Sequence, residues 1–399
     1  MEHFPIIQAL CRAALAQPSA ASRKQVERLR DALSKAGDSK SAAAITALLS
    51  SADKMVEVAP SRISRSRAEM PGEALTPKTQ LPVDRETAAP LVDVYFPSDL
   101  QANPPLFNQR VTEAIHSIID EWKNFAELQE MDVQPSRTCL IYGAPGTGKT
   151  RLALWIAKQL EMPVVLARID GLVSSFLGTT SRNIGSLFAF ANRYRCILLL
   201  DEFDAVAKLR DDPQEVGEIK RVVNSLLQNL DARCDIGITI GITNHQNLLD
   251  PAVWRRFEVQ LEIPRPDFHV RVEIARNFMP PVRAPEGHLR LIAWFTEGAT
   301  GAEIEALVRT YKKSLAMRSG EPKHLLDTLR QFATLNSARL DPKRRGLLFA
   351  ENRVLFKEWS RDDQLQLSYD DIGKVAGKDK STISRQIGKT SIAHGDERG

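Results

Sequence analysis

The chain has few cysteines, little net charge and no long apolar run, and each shortage narrows what it does. Its four cysteines, Cys11, Cys139, Cys196 and Cys234, lie far apart without a C-x-x-C spacing. Cys139 and Cys196 fall inside apolar runs that read as buried strands, so the set reads as reduced core thiols of a cytoplasmic protein. No H-E-x-x-H occurs, which leaves a zinc protease on the same chain without support. No apolar run approaches the roughly 18 residues that span a bilayer, so no membrane association is expected. The apolar stretch from Pro5 to Ala16 is interrupted by Arg12, and Glu2 stands where a signal peptide carries basic residues. A net charge of +4 over 399 residues is small. It argues against wholesale nucleic-acid binding and leaves room for a local basic patch. What remains is an ordinary soluble composition, 43% hydrophobic and 26% charged, at a length that suggests two or three domains.

Residues 1–52 read as a helical hairpin. Val26, Leu29 and Leu33, then Ala43, Ile45, Leu48 and Leu49, give two amphipathic stretches around Gly37 and Asp38. So small a hairpin buries little surface and is expected to serve as a docking module. Residues 53–95 read as a semi-extended linker, punctuated by Pro60, Pro71, Pro77, Pro82 and Pro90 and carrying Arg62, Arg65 and Arg67. Over residues 96–266 short apolar runs alternate with helical patterns. The runs are Thr138 to Tyr142, Pro163 to Ala167, Cys196 to Leu200, Ile236 to Ile242 and, more weakly, Val259 to Ile263. This predicts an α/β fold with a five-stranded parallel sheet covered on both faces. After Pro266 the pattern is helical throughout, divided here into residues 267–320 and a C-terminal region, residues 321–399.

Gly143-Ala144-Pro145-Gly146-Thr147-Gly148-Lys149-Thr150 matches G-x-x-x-x-G-K-[ST], follows a predicted strand and opens a predicted helix. Glycines let backbone N–H groups wrap phosphates at the positive end of a helix. Lys149 supplies a cation to the terminal phosphates and Thr150 a hydroxyl to Mg²⁺. With Arg151, next on the helix, these form the expected site for ATP. The apolar run from Cys196 ends in Asp201 and Glu202. Asp201 is expected to hold Mg²⁺ and Glu202 to polarise the attacking water.

The stretch from Pro105 to about Met317 resembles an ATPase module of the AAA family, of the kind found in membrane AAA proteases and in katanin. Further motifs follow in order. Arg221 to Asp231 is similar to the helix after the second Walker motif, and Gly241-Ile-Thr-Asn244 to the strand ending in a polar sensor. Asp250-Pro-Ala-Val-Trp-Arg255-Arg256-Phe257 resembles the segment bearing arginine fingers, and the stretch from Thr296 to Ile304 the start of the lid's last helices. The resemblance implies a helical lid over residues 267–320 and ATP hydrolysis with Mg²⁺ in a homo-oligomeric ring, hexameric in the family's manner. It implies that Asn244 senses the γ-phosphate or orients the water, and that Arg255 and Arg256 act on a neighbour's site. Read without it, Asn244 is a cap or turn residue and the arginines are surface residues beside a turn. The family's arginines are usually separated; here they are adjacent, and the sequence does not say which is the finger. Ala302 stands where other groups of the superfamily carry a lid arginine.

Phe176-Leu177-Gly178 falls where the family places a pore loop that grips an extended polypeptide, which makes a protein the expected substrate. The alternative is a core phenylalanine; the polar Thr179-Thr-Ser-Arg182 after it favours the pore. Some bacterial AAA ATPases with a short N-terminal helical hairpin accompany a separately encoded protease, a further partner the resemblance implies. Residues 367–389 read as helix, glycine turn, capped helix, a helix-turn-helix pattern in which Ser381, Thr382, Arg385 and Gln386 are candidate DNA contacts. The same motif also serves as a protein-contact module. The two readings of the whole are a protein-remodelling ring ATPase and a DNA-binding ATPase switch in regulation or defence.

Overall fold

The structure, a computed structural model, describes Ile7 and residues 20–57, 72–168, 172, 177–204, 216–233, 237–317, 324–337 and 341–388. The chain divides into two units, Met1–Glu69 and Met70–Gly399. In the first, α1 (Ala20–Lys35) and α2 (Ser39–Glu57) form a hairpin. Asp38 caps the second helix, accepting from Ser41 N at 3.1 Å and Ser41 Oγ at 2.9 Å. Val26, Leu33, Ala42, Ile45 and Leu49 are its buried core.

The second unit opens with β1 (Glu73–Ala74), β2 (Val92–Tyr95), α3 (Gln109–Lys123), α4 (Phe125–Glu130), β3 (Thr138–Tyr142), α5 (Lys149–Gln159) and β4 (Val164–Ala167). It continues through α6 (Leu177–Ala191), β5 (Tyr194–Arg195), β6 (Ile197–Leu200), α7 (Val216–Asp231), β7 (Thr239–Thr243), α8 (Pro251–Trp254) and β8 (Val259–Glu262). The main sheet runs β2-β4-β6-β7-β3-β8. All neighbours are parallel except β2 with β4. Both faces are covered, which explains the unbroken apolar runs. Leu198 and Leu200 of β6 join one buried cluster with α6 and α7, while Ile197 and Leu199 join another with α3 and α5.

The five strands read from the sequence are all present, and a sixth was not foreseen: β2 adds an antiparallel edge, with Val92 opposite Ala167 and Tyr95 opposite Val164. The stretch read as linker therefore leaves off before it. From Gly72 the chain is packed onto the α/β layers: β1 pairs with β5, and Leu75 and Leu91 are buried. Asp84 sits in this segment, 3% exposed, accepting from Asn183 Nδ2 at 2.7 Å and from the N–H groups of Glu86 and Thr87. The Asn183 amide, followed by those two N–H groups, holds its carboxyl down at about 2.

The helices α9 (Phe268–Phe278), α10 (Glu286–Phe295) and α11 (Gly301–Ala316) follow. Then come α12 (Leu325–Leu335), α13 (Pro342–Phe349), α14 (Asn352–Arg361), α15 (Tyr369–Ala376) and α16 (Lys380–Gly388). The sequence divides this stretch near residue 320, but one continuous core runs from Phe268 to Ile383. Trp294 meets Trp359 edge to face at 6.2 Å and donates from Nε1 to Asp362 Oδ2 at 2.8 Å. Arg344 stacks on Trp294 at 4.3 Å and pairs with Glu297. Among the described residues no helix is long and apolar enough to cross a membrane.

Candidate functional site

The phosphate loop joins the end of β3 to the start of α5. Gly148, at φ 96°, occupies the left-handed region at the helix N-cap, where a side chain would be strained. The loop borders a cavity of about 390 Å³ lined by residues 145–151, Asp201, Glu202, Ile242 and Asn244. Gly143 and Ala144 line a second depression that also reaches Asn244.

Lys149 is 5% exposed, its Nζ donating to the carbonyls of Gly143 at 2.9 Å and Ala144 at 2.8 Å. Burial pulls this ammonium below its usual range, opposed by Asp201 and Asp204. A desolvated cation resting on its own loop's carbonyls is ready to exchange them for phosphate oxygens. Thr150 Oγ1 donates to Asp201 Oδ2 at 2.8 Å. The pair brings two hard oxygen donors together at the loop, a set that fits Mg²⁺ with phosphate and water completing its shell. Arg151 lines the same cavity, and its Nε is shielded without a hydrogen-bond partner among the described residues. Such an orphaned donor also fits an anionic ligand. Glu202 has φ 52°, and its N–H is held by Asp201 Oδ1 at 2.9 Å. Non-glycine residues hold this conformation only where the surroundings impose it, and such positions cluster at functional sites.

Some of the cavity's walls have no local motif. Leu106 and Phe107 come from the segment before α3; Ile274, Asn277 and Phe278 from α9; and Ala302 and Glu305 from α11. Ala302 N donates to Gly146 O at 3.2 Å, so the lid rests directly on the phosphate loop.

The two arginines lie outside the cavity and differ sharply. Arg256 is tied down: Nε and Nη2 reach the two carboxylate oxygens of Asp231 at 3.1 and 3.2 Å, and Nη1 donates to Ala252 O at 3.2 Å. Arg255 is exposed, with no ion-pair or hydrogen-bond partner for its guanidinium among the described residues.

Phe176 lies outside the described residues, and of Leu177 only the helical backbone is described. The flank taken as a polar loop belongs to the first turns of α6. Thr179 and Thr180 are buried there, and Thr179 Oγ1 donates to Glu86 at 2.9 Å. Hydroxyls satisfied in this way are compatible with a packed turn, so their polarity does not argue for a pore. Cys139 and Cys196 are buried free thiols, pushed by burial to about 12 and about 11; Cys11 and Cys234 lie outside the described residues. On α16, Ser381 and Arg385 are exposed and Thr382 is half-buried. Gln386 is half-buried, and its Oε1 is fully shielded with no partner among the described residues.

Comparison with known proteins agrees with this geometry. Residues 139–265 match the family described as "ATPase family associated with various cellular activities (AAA)". An uncharacterised AAA family ATPase of Sinorhizobium fredii is 35% identical over 50% of this chain and 60% of its own length. The ATP-dependent zinc metalloprotease FtsH of Aquifex aeolicus is 32% identical over 60% of this chain and 39% of its own. The proteasome-activating nucleotidase of Aeropyrum pernix is 34% identical over 50% of this chain and 51% of its own. The chain thus spans between 39% and 60% of these relatives' lengths. ATP with Mg²⁺, the ligand pair of the family, fits the donors gathered around Lys149, Thr150 and Asp201. The chain therefore carries an ATPase domain of the AAA family, centred on residues 139–265.

Proposed function

We propose that this chain hydrolyses ATP as a subunit of a homo-oligomeric ring, hexameric as the resemblance implies, and uses the energy to remodel a protein. The observation that carries the reading is the convergence of Lys149, the Thr150–Asp201 pair and Glu202 on one cavity. Lys149 and the loop N–H groups bind the phosphates. Thr150 and Asp201 would hold Mg²⁺, which would supply charge neutralisation to the phosphates. Glu202 takes the proton of the attacking water, and Asn244, on the same cavity, orients that water. Arg255, exposed and without a side-chain partner among the described residues, is the guanidinium assigned to reach a neighbouring subunit's γ-phosphate. Arg256 holds the segment in place through Asp231.

Protein is the preferred substrate because two relatives carry names of protein-degrading systems, a zinc metalloprotease and a proteasome-activating nucleotidase. The zinc-protease motif H-E-x-x-H does not occur in this sequence, so the reading rests on remodelling and not on zinc-dependent cleavage. The test mixes two inactive proteins, Arg255→Ala and Glu202→Gln. Interfaces that combine an intact Glu202 with an intact Arg255 should recover ATPase activity. Verified mixed oligomers without recovery would refute action across the subunit boundary.

A further inference from the structure

We propose that the exposed face of α16 binds double-stranded DNA and that, because α14 to α16 are built into the lid, this binding is linked to the nucleotide held at the phosphate loop. The proposal goes beyond the ATPase reading; only its linkage half rests on it.

Two glycines lock the crossing of α15 and α16. Gly377 ends α15 at φ 65° in the left-handed region. A Cβ on Gly373 would stand 2.4 Å from the Lys378 carbonyl oxygen, so the turn lies directly on the preceding helix. Ile383 is then buried against α14 and α15, with Ile387 half-buried beside it. Helix, glycine turn and packed second helix fit the helix-turn-helix pattern, whose second helix enters the major groove.

The outward face is the reverse of an apolar docking surface. Lys380, Ser381, Ser384 and Arg385 are exposed, and α16 itself carries neither an acidic residue nor an exposed large hydrophobic one. Lys380 has no ion-pair partner among the described residues, and Arg385 bonds only its own helix, from Nε to Ser381 O at 3.3 Å. Of the nearby carboxylates, Asp370 pairs with Lys374 at 2.6 Å and also feels the Lys380 charge, and Asp371 caps α15 through Ser368. Asp379 lies in the turn. Exposed cations beside hydroxyls on one helix suit phosphates and base edges.

The same helices share the lid's buried core. Ile383, Val375 and Trp359 belong to one buried cluster with Trp294 and Leu307. Arg290 of α10 donates to Leu365 O at 3.2 Å. The lid in turn touches Gly146 through Ala302. A ligand that favours one lid position therefore changes the affinity of the other site by the same factor.

The test uses the full chain and a labelled mixed-sequence duplex of about 30 base pairs, read by fluorescence anisotropy in ADP and in ATP. Glu202→Gln serves for the ATP state, and bound labelled nucleotide is measured on the same samples. Binding should weaken steeply with salt. Lys380→Glu/Arg385→Glu should weaken it at least about tenfold, as expected for reversing two groups that contact phosphate, while basal ATPase stays unchanged. No duplex binding at low salt, or unchanged binding by the double variant, would overturn the assignment and leave α16 as a protein-contact helix. Equal duplex affinity in the two nucleotides, with nucleotide demonstrably bound, would overturn the linkage. Absent nucleotide binding would instead count against the ATPase reading.

Discussion

Replacing Arg255 and Arg256 one at a time separates a catalytic loss from a structural one. Arg255 is exposed and its guanidinium has no partner among the described residues, so Arg255→Ala should change stability by no more than about 0.5 kcal/mol. Its catalytic loss should be large, because a guanidinium supplied to the γ-phosphoryl group contributes about 10³–10⁵ in rate. Arg256 and Asp231 are 35% and 53% exposed, so solvent screens their bidentate pair to about 1 kcal/mol at most. The hydrogen bond to Ala252 O adds about 0.5–1.5 kcal/mol. Arg256→Ala should therefore lower stability by roughly 1–2 kcal/mol, a few degrees in Tm. Its effect on turnover should be smaller than that of Arg255→Ala, acting through the position of α8. Asp231→Asn should reproduce most of that change. The assay is steady-state ATPase beside thermal unfolding of each variant. An inactive but fully stable Arg256→Ala, with a near-normal Arg255→Ala, would exchange the two roles and refute the reasoning.

Three further outcomes follow from the same geometry. Phe176→Ala should keep basal ATPase within a few-fold and lose stimulation by an unfolded protein; preserved stimulation would refute threading past this residue. Asp84 has its carboxyl held at about 2 against an ordinary 3.8, so its contribution is present above pH 3.8 and disappears as pH falls toward 2. Asp84→Asn should thus be less stable than the wild type at neutral pH and approach it across that acid window; an unchanged gap in acid would contradict the assignment. Trp359→Ala empties a fully buried position shared by lid and C-terminal helices, and should cost about 3–5 kcal/mol and destabilise both in one calorimetric transition. Two separate transitions would show that they are independent.

The sheet was legible because parallel strands covered on both faces leave a plain signature, as in the apolar run from Cys196 to Leu200. The phosphate loop and the Asp201–Glu202 pair were legible because their chemistry is confined to a few consecutive residues. The edge strand Val92–Tyr95 was not: four residues between Pro90 and Pro97 are too few for alternation to stand out from a linker. Long-range pairing was equally silent. Nothing around Asp84 points to Asn183, and nothing in two adjacent arginines says that Asp231 holds only the second. The helical pattern after Pro266 did not name a partner for α12 to α16, so the region read as a separate tail instead of half of the lid's core. Leu106, Asn277 and Glu305 reach the cavity only through folding, and no spacing announces them. Gln386 shows the reverse: its place in the pattern suggested a base contact, while its Oε1 is fully shielded.

The central claim is that Glu202, next to the Asp201–Thr150 pair, is the group that activates water for ATP hydrolysis. Its most direct measurement is single-turnover hydrolysis of bound ATP by wild type and Glu202→Gln, with ATP affinity measured in parallel. The account predicts near-normal ATP binding and hydrolysis slower by at least about a hundredfold, the loss expected on removing a positioned general base. Near-normal turnover by Glu202→Gln would contradict it.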